Sequence, residues 1–428
     1  MSRTVMAAFI WGLVATGVAA QTNQYDAAIA GIRNTDAFKQ ALAILDRDFD
    51  QMVADIITLT EIPAPPFKET ARAKAYLDLL RAAGLTDVEQ DDEGNVMGVR
   101  RGTGPSRADT PLIAVAAHLD TVFPEGTDVK VKREGTKLFA PGVGDDTRGL
   151  AVLVAMIRAM NEARIQTVSD ILFLGNVGEE GLGDLRGTKF IFQKGKYKDR
   201  IKTFVSVDHA VNEANITQAA VGSRRYRVTF KGPGGHSYDA FGVVNPAFAM
   251  AGAMQKFSRL AVPEKPRTTY SVGVVGGGSS VNAIPSESWM EIDMRSEARV
   301  ELQRLDERFV ALVGEAVRDE NSARSTTRGA ITVDLKLIGD RPSGETPLDS
   351  RIVQIAAASI RVAGLTPTFI PNSTDANVPI SLGIPAITLD PGGETGGSHA
   401  LGEWISVERA SSLRGIHILL ATLLALAG

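Results

Sequence analysis

The stretch PLIAVAAHLD, residues 111–120, decides the fold class. Its first seven residues form a continuous apolar run typical of a fully buried strand, and a histidine and an aspartate follow almost at once. Similar short apolar runs occur downstream: DILFLG at 170–175, TFVSV at 203–207 and IPAITL at 384–389. The last run is weaker, because Pro385 favours the start of a strand or an edge strand. A helical pattern occupies 150–160, so strands alternate with helices. This alternation predicts an α/β domain that has a mixed, mainly parallel sheet with helices on both faces.

The middle of the chain has a different pattern. Polar and apolar residues alternate at 224–231, 288–295 and 330–337, which is typical of half-exposed antiparallel strands. Helical patterns at 246–260 and 300–319 lie between these strands. We therefore expect an inserted α+β domain at 217–341, which divides the first domain into 21–216 and 342–428. An amphipathic helical stretch at 36–61 precedes the first strand.

Composition excludes several classes of protein. The 428 residues are 44% hydrophobic and 22% charged, as in ordinary soluble globular proteins. Lys and Arg total 46 against 50 Asp and Glu, so the formal net charge is -4 and nothing indicates nucleic-acid binding. The absence of cysteine excludes disulfides, thiolate nucleophiles, Cys-ligated zinc and iron–sulfur clusters.

Residues 1–20 predict a secretory signal peptide. Arg3 is followed by an apolar run at 5–20, which ends in the small residues Val18-Ala19-Ala20. The run is shorter than the ~20 residues of a membrane-spanning helix. We expect a periplasmic or secreted protein, with an uncleaved anchor or a buried helix as the alternative. No later segment is expected to span a membrane.

Acids and histidines follow the buried runs directly. Five segments carry them: His118 with Asp120, Asp145 with Asp146, Glu179 with Glu180, Asp208 with His209, and His399. In open α/β sheets, ligands bind beyond the carboxyl ends of the strands. We therefore expect these side chains to meet at one edge of the sheet.

Carboxylates and imidazoles without thiolates suit a pair of divalent metal ions, zinc first and also manganese or cobalt. Two close ions need a bridging carboxylate. His118 and Asp120 share one face of a strand, so the Asp120 carboxylate could accept the spare ring N–H of His118. The adjacent Glu179 and Glu180 would point apart, one towards metal and one as a general base. The Asp145-Asp146 pair could instead be a helix N-cap.

These motifs as a set resemble the di-zinc metallopeptidase family of carboxypeptidase G, peptidase T, aminoacylase, acetylornithine deacetylase and succinyl-diaminopimelate desuccinylase. The resemblance extends from about residue 55 to the end of the chain. The motifs are AAHLDTVFPEG at 116–126, GVGDDTRG at 142–149, GNVGEEGLGDLRG at 175–187, SVDHA at 206–210, GPGGHS at 232–237, VNAIPSESWMEIDMR at 281–295 and GGSHALGEW at 396–404.

The resemblance implies a role for each site residue. It implies two zinc ions, one bound by His118 and Asp208 and the other by Glu180 and His399, with Asp145 as the bridge. Glu179 would be the general base and Asp120 would support His118.

In the family, the inserted domain is a lid and dimerisation domain. The resemblance makes His236 a donor to the oxyanion and gives Asn282 and Arg295 contacts with substrate, often across a homodimer interface. His209 and His417 have no family role, so we expect both to be structural.

Two positions depart from the family pattern. Thr147 stands where many relatives carry Lys, which changes the charge near the bridge. Asp208 replaces the Glu of carboxypeptidase G and the deacylases, and resembles the aminopeptidase and dipeptidase branches. The second departure favours a substrate with a free amine.

The sequence thus predicts a secreted or periplasmic metal-dependent amide hydrolase. We expect an exopeptidase of aminopeptidase or dipeptidase type that acts on short peptides through a metal-bridged water activated by Glu179. An N-acyl amino acid deacylase or a carboxypeptidase is the alternative. A periplasmic ligand-binding protein would not need Glu179.

Two other enzyme classes fit poorly. A dehydrogenase would need the dinucleotide-binding motif Gly-x-Gly-x-x-Gly. Gly181 and Gly183 could begin it, but the next glycine, Gly187, comes one residue too late. A serine hydrolase would need a Gly-x-Ser-x-Gly motif, which we do not find.

Overall fold

The computed structural model describes residues 24–105, 111–208 and 212–428. The predicted signal peptide at 1–20 and the predicted structural residue His209 lie outside them. The described chain divides into two compact units. The inserted unit is Ala220–Gly344, and the larger unit comprises the described residues up to Ala219 together with Glu345–Gly428. The sequence predicts the insertion at 217–341.

The strands of the larger unit fall on both sides of the insertion in the chain. They are β1 (Thr86–Gln90), β2 (Val96–Arg100), β3 (Leu112–His118), β4 (Lys132–Glu134), β5 (Lys137–Phe139), β6 (Asp170–Asn176), β7 (Ile201–Val207), β8 (Asn215–Ala220), β15 (Gly344–Glu345), β16 (Thr368–Asn372), β17 (Ala386–Leu389), β18 (Thr395–Gly396) and β19 (Trp404–Ser406). Strands β9 to β14 belong to the inserted unit and are given below.

Nine of these strands form one sheet, in the order β1-β2-β6-β3-β7-β17-β8-β15, with β16 paired to β8. The four central strands β6, β3, β7 and β17 are parallel, so their carboxyl ends meet at one edge. Strands β2 and β8 flank them in antiparallel pairs. All residues of β3 and β6 are buried, which requires cover on both faces. The predicted mixed α/β sheet is confirmed.

Helices supply that cover. They are α1 (24–34), α2 (Asp36–Arg47), α3 (Phe49–Thr60), α4 (Thr70–Ala82), α5 (Thr147–Glu162), α6 (Arg186–Gln193), α9 (Arg351–Val362), α10 (Asn377–Ser381) and α11 (Arg409–Ala427). The helical stretch predicted at 36–61 is two helices rather than one. It breaks at Asp48, whose backbone leaves the helical conformation with φ -95° and ψ 15°.

Helix α11 corrects one expectation. Its 19 residues are long and apolar enough to cross a membrane, although no segment after residue 20 was expected to be. However, 72% of its most apolar stretch is buried inside the protein. Leucines such as Leu419 and Leu420 belong to the core of the larger unit. The apolar character of α11 therefore reflects burial in a core.

The inserted unit has its own core. Its elements are β9 (Gly222–Lys231), β10 (Gly235–His236), α7 (Pro246–Phe257), β11 (Thr268–Gly277), β12 (Ala283–Ile284), β13 (Glu287–Ser296), α8 (Arg299–Ala323) and β14 (Thr332–Arg341). Four antiparallel strands are ordered β11-β13-β9-β14, and alternate side chains such as Val228, Phe230 and Met290 pack with Phe309 of α8. This α+β arrangement is the one that the alternating pattern predicts.

Candidate metal centre

The parallel strands bring the predicted ligands to one edge of the sheet. His118 is the last residue of β3, and Asp208 follows β7 directly. Glu180 lies in the loop after β6, and His399 lies in the glycine-rich loop after β17. Asp145 lies just before α5 and approaches from a loop.

Asp145 lies between two imidazoles. Its Oδ1 is 2.8 Å from Nε2 of His118, and its Oδ2 is 3.1 Å from Nε2 of His399. The same nitrogen of His399 is 2.9 Å from Oε1 of Glu180. Nε2 of His118 is 4.0 Å from Oδ1 of Asp208. Each imidazole therefore faces one oxygen of Asp145 and one oxygen of a second carboxylate, which is the geometry of two ion sites with a shared bridge.

The donor chemistry of this cluster fits divalent metal ions. The ligand atoms of His118, Asp145 and Glu180 all lie within 4.8 Å of one another, as do those of His118, Asp146 and Asp208. Imidazole nitrogens and carboxylate oxygens suit zinc, manganese or cobalt, and the chain has no thiolate to offer. Buried carboxylates in such numbers are costly unless a cation compensates them.

Asp146 is the N-cap of the helix that follows it. Its Oδ1 accepts the backbone N–H of Gly149 at 3.1 Å, and its Oδ2 accepts that of His118 at 3.1 Å. Of the two aspartates, Asp146 therefore caps the helix, as the N-cap alternative expected. Asp145 instead has both oxygens directed at histidines.

The carboxylates favour positive charge at both histidines. Burial lowers the pKa of His118, but its hydrogen bond to Asp145 and the surrounding carboxylates outweigh burial and raise that pKa well above its ordinary value. Hydrogen bonds to Asp145 and Glu180 raise the pKa of His399 to about 10. A divalent cation would supply the same positive charge and displace these protons.

The Asp120 carboxylate does not accept the ring N–H of His118, although the sequence led us to expect this. The ring Nδ1 of His118 lies 3.0 Å from the backbone carbonyl oxygen of Asp120, whereas the nearest Asp120 carboxylate oxygen is 3.7 Å away. The carboxylate instead accepts the backbone N–H groups of Glu179 at 3.0 Å and Glu180 at 2.8 Å. Asp120 therefore orients His118 through its main chain and the two glutamates through its side chain.

Glu179 is buried beside the ligand Glu180. The backbone at Glu180 is extended, with φ -82° and ψ 143°, so neighbouring side chains along it point to opposite sides. Glu180 contacts His399, so the side chain of the adjacent Glu179 is expected on the opposite side of the backbone.

Two buried side chains that hold the site loops have no assigned role in the sequence analysis. Glu403 accepts the backbone N–H groups of Gly142 and Gly144, both at 2.8 Å, and of Asp145 at 3.0 Å. Burial raises the pKa of Glu403 to about 7 in spite of these hydrogen bonds. Arg148 is fully buried in α5 and donates to the carbonyl oxygens of Gly392 at 2.7 Å and Glu394 at 3.3 Å. It thereby holds the loop that leads to His399.

A third such residue, Asp375, is bonded to the segments on both sides of the loop of the two glutamates. Its carboxylate accepts Nδ2 of Asn176 at 2.6 Å and Oγ1 of Thr188 at 2.5 Å, one on each side of Glu179 and Glu180 in the chain. The residues around Asp375, Glu403 and Arg148 in the sequence do not show what these side chains bond to, because only the fold brings their partners to them.

The inserted unit carries the remaining predicted residues. His236 lies in β10, and its side chain is 53% exposed. Asn282 is its neighbour, since the N–H of Ser237 donates to the carbonyl oxygen of Asn282 at 2.9 Å. Arg295 is not brought to them. It lies near the far end of β13, where its Nε donates to Oδ2 of Asp293 at 2.7 Å. His417, which we expected to be structural, lies in α11.

Comparison with known proteins identifies the family. The model of Peptidase family M20/M25/M40 matches residues 114–425. An acetylornithine deacetylase from Myxococcus xanthus is 25% identical over 392 residues, which are 84% of this chain and 94% of that protein.

Two solved structures share the fold. Aminopeptidase PepT from Bacillus cereus ATCC 10987 has a TM-score of 0.69 at 21% identity, over 89% of this chain and 99% of that chain. The YXEP protein of Bacillus subtilis, a dinuclear metal-binding peptidase of the M20 family, has a TM-score of 0.63 at 16% identity, over 89% and 99%. Because the family model spans well over half of the sequence and the ligand cluster is in place, the chain belongs to peptidase family M20/M25/M40 and is a metal-dependent hydrolase.

Proposed function

We propose that the protein is an exopeptidase of the aminopeptidase or dipeptidase type that cleaves short peptides with two divalent metal ions, zinc in the first place and cobalt or manganese as alternatives. The observation that carries this proposal is the position of Asp145. Its two oxygens face two different histidines, and each histidine faces a further carboxylate.

The residues of the chain divide the chemistry among them. Two bound ions would polarise the scissile carbonyl and lower the pKa of a water. Glu179 would take the proton of the attacking water and return it to the leaving amine. Asp120 would keep Glu179 in place through the hydrogen bond to its backbone. His236 would donate a hydrogen bond to the oxyanion, and Asn282 and Arg295 would hold the substrate.

The type of amide is the finer part of the proposal. Asp208 in place of Glu supports a substrate with a free amine, and the structural likeness to an aminopeptidase agrees with it. The second candidate is an N-acyl amino acid deacylase. It is favoured by the similarity to an acetylornithine deacetylase over 94% of that protein.

A hydrolysis screen separates the two candidates. The zinc-loaded protein would be given dipeptides with free ends, the same dipeptides N-acetylated, the same dipeptides C-amidated, and N-acetyl amino acids. A dipeptidase should cleave only the first set, an aminopeptidase the first and third, and a deacylase should release acetate from N-acetyl amino acids. Glu179→Gln protein is the matched control for contaminating activity. Failure to hydrolyse any amide would overturn the proposal.

We also propose that the protein is exported to the periplasm or secreted. The charge and apolar pattern of residues 1–20 support export. Amino-terminal sequencing of protein recovered from the periplasmic fraction or the medium should find Gln21 first. Recovery of the intact chain from the cytoplasm would contradict this proposal.

A homodimer through the inserted unit is the last part of the proposal. His236 pairs with Ala283, just before β13 begins at Glu287. Arg295 lies eight residues further along β13, which places it roughly 25 Å from Glu287. A short peptide is too small to touch both residues of one chain, so we assign them to different chains at each site. Mixed His236→Ala and Glu179→Gln subunits should then recover activity. Lack of recovery despite subunit exchange would show that His236 serves its own chain or has only a structural role.

A further inference from the structure

Glu403 joins the two loops that carry the bridging aspartate and the exposed histidine. Its side chain is fully buried and accepts three backbone N–H groups, those of Gly142, Gly144 and Asp145. Its own backbone N–H donates to the carbonyl oxygen of Ala400 at 3.0 Å, immediately after His399. Its backbone oxygen accepts the N–H of Ala140 at 3.1 Å. One residue is thus bonded to both segments.

The approach of Glu403 to the Asp145 loop is close. A Cβ atom added at Gly144 would lie 3.2 Å from Oε1 of Glu403 and 2.9 Å from Oγ1 of Thr395. The glycine therefore leaves room for the carboxylate to reach the backbone of the loop. The three N–H groups belong to a segment of four residues, so one carboxyl group fixes that segment at three points.

We propose that Glu403 is a positioning residue that fixes Asp145 relative to His399 and thereby determines the affinity of the metal pair. This inference depends on the proposed metal centre. Oδ2 of Asp145 must stay close to Nε2 of His399 while Oδ1 stays close to Nε2 of His118. A shift of the Asp145 backbone would alter both distances together, because both oxygens belong to one carboxylate.

Two substitutions at Glu403 should weaken metal binding to different degrees. Glu403→Ala removes all three acceptor bonds. Glu403→Gln preserves the shape, and its carbonyl oxygen can still accept the N–H groups of Gly144 and Asp145, but its NH₂ group would oppose the N–H of Gly142. Loss of a residue that orients metal ligands typically lowers metal affinity ~10–100-fold. We expect a loss of this size for Glu403→Ala and a smaller loss for Glu403→Gln.

A matched control separates positioning from general destabilisation. Asp170 is also a buried carboxylate, and it accepts the backbone N–H of Gly102 at 2.8 Å and Nη1 of Arg101 at 2.8 Å. It is the first residue of β6, at the opposite end of that strand from the metal centre. Asp170→Asn should lower the melting temperature of the metal-free protein and leave its metal affinity within about twofold of the unmutated value.

The readouts are zinc dissociation constants from competition with a chelator and the visible absorption spectrum of the cobalt-loaded protein. Weaker zinc binding together with an altered cobalt spectrum in both Glu403 variants, but not in Asp170→Asn, supports the proposal. Unchanged affinity and spectrum in a folded Glu403→Gln protein overturn it, as does an equal loss in Asp170→Asn. If the unmutated protein binds no metal, the proposed function fails, which is a different result.

Discussion

At the scale of single residues, Glu179 and Glu180 show how one buried carboxylate can position two adjacent side chains. Both backbone N–H groups are held by the same carboxylate, that of Asp120. The extended backbone then directs the two side chains apart. Oε1 of Glu180 is 2.9 Å from Nε2 of His399, so we propose Glu180 as the metal ligand and Glu179 as the base.

Substitution of each glutamate should therefore have a different effect. Glu179→Gln preserves size but cannot take a proton, so the turnover number should fall ~10²–10⁴-fold while two metal ions remain bound. Glu180→Gln should lower the affinity of one ion instead. Metal content by elemental analysis and turnover on the best substrate of the screen would be measured side by side. Near-normal turnover in Glu179→Gln would place the base elsewhere.

The sequence predicts which residues meet but not how each one is bonded. His118 and His399, 281 positions apart, are brought together because each follows a buried parallel strand. The expectation that the Asp120 carboxylate accepts the ring N–H of His118 is wrong, because that carboxylate instead accepts two backbone N–H groups about 60 residues away. Only the folded chain brings those N–H groups close. The sequence gives no sign of the bonds of Glu403 for the same reason, because its three N–H partners lie about 260 residues away.

At the scale of elements, burial determines which parts could be predicted. Strands β3, β6 and β7 each contain a short, mostly apolar buried run, and the sequence locates each of them within two residues of its ends. Strands β1 (TDVEQ) and β8 (NITQAA) are short and rich in polar residues, so no periodic pattern indicates them. Pro385 lies just before β17, where its missing N–H leaves the pairing with β7 intact.

Helix α11 carries a partly buried histidine, His417, that should make stability depend on pH. Burial, with a smaller effect of Arg33, lowers the pKa of His417 to about 4. The unfolded chain has the ordinary pKa of about 6.5 and therefore binds a proton first as the pH falls. The free energy of unfolding should therefore be unaffected by His417 above pH 6.5. It should fall as the pH drops from 6.5 to about 4, and His417 should cause no further change below that pH.

His417→Leu should remove this part of the pH dependence. The full effect is at most ~3 kcal/mol and is reduced by the partial exposure of the ring. Urea unfolding of both proteins at pH 7.5 and pH 4.5, with chelator present so that metal release does not contribute, would measure it. The two proteins should differ less in stability at pH 4.5, or the variant should become the more stable one. An identical pH dependence would show that His417 titrates normally.

At the scale of the whole molecule, the two units divide the site residues between them. The five predicted metal ligands all belong to the larger unit, whereas His236, Asn282 and Arg295 belong to the inserted unit. Each unit has a separate hydrophobic core, one around residues such as Phe173 and one around Phe309. Metal binding should accordingly stabilise one unit directly and the other not at all.

Calorimetry with and without a chelator tests this division. A ligand at 100 times its dissociation constant stabilises the folded state by ~2.7 kcal/mol, so removal of zinc should lower the melting temperature of the larger unit by roughly 5 °C or more. The transition of the inserted unit should not move. Phe309→Ala, a cavity in the core of the inserted unit that should cost ~3–5 kcal/mol, identifies that transition by lowering it alone. If the chelator shifts neither transition, the carboxylates and histidines at the sheet edge do not hold metal. If it shifts both equally, the two units unfold as one cooperative body, and the metal centre stabilises the whole chain.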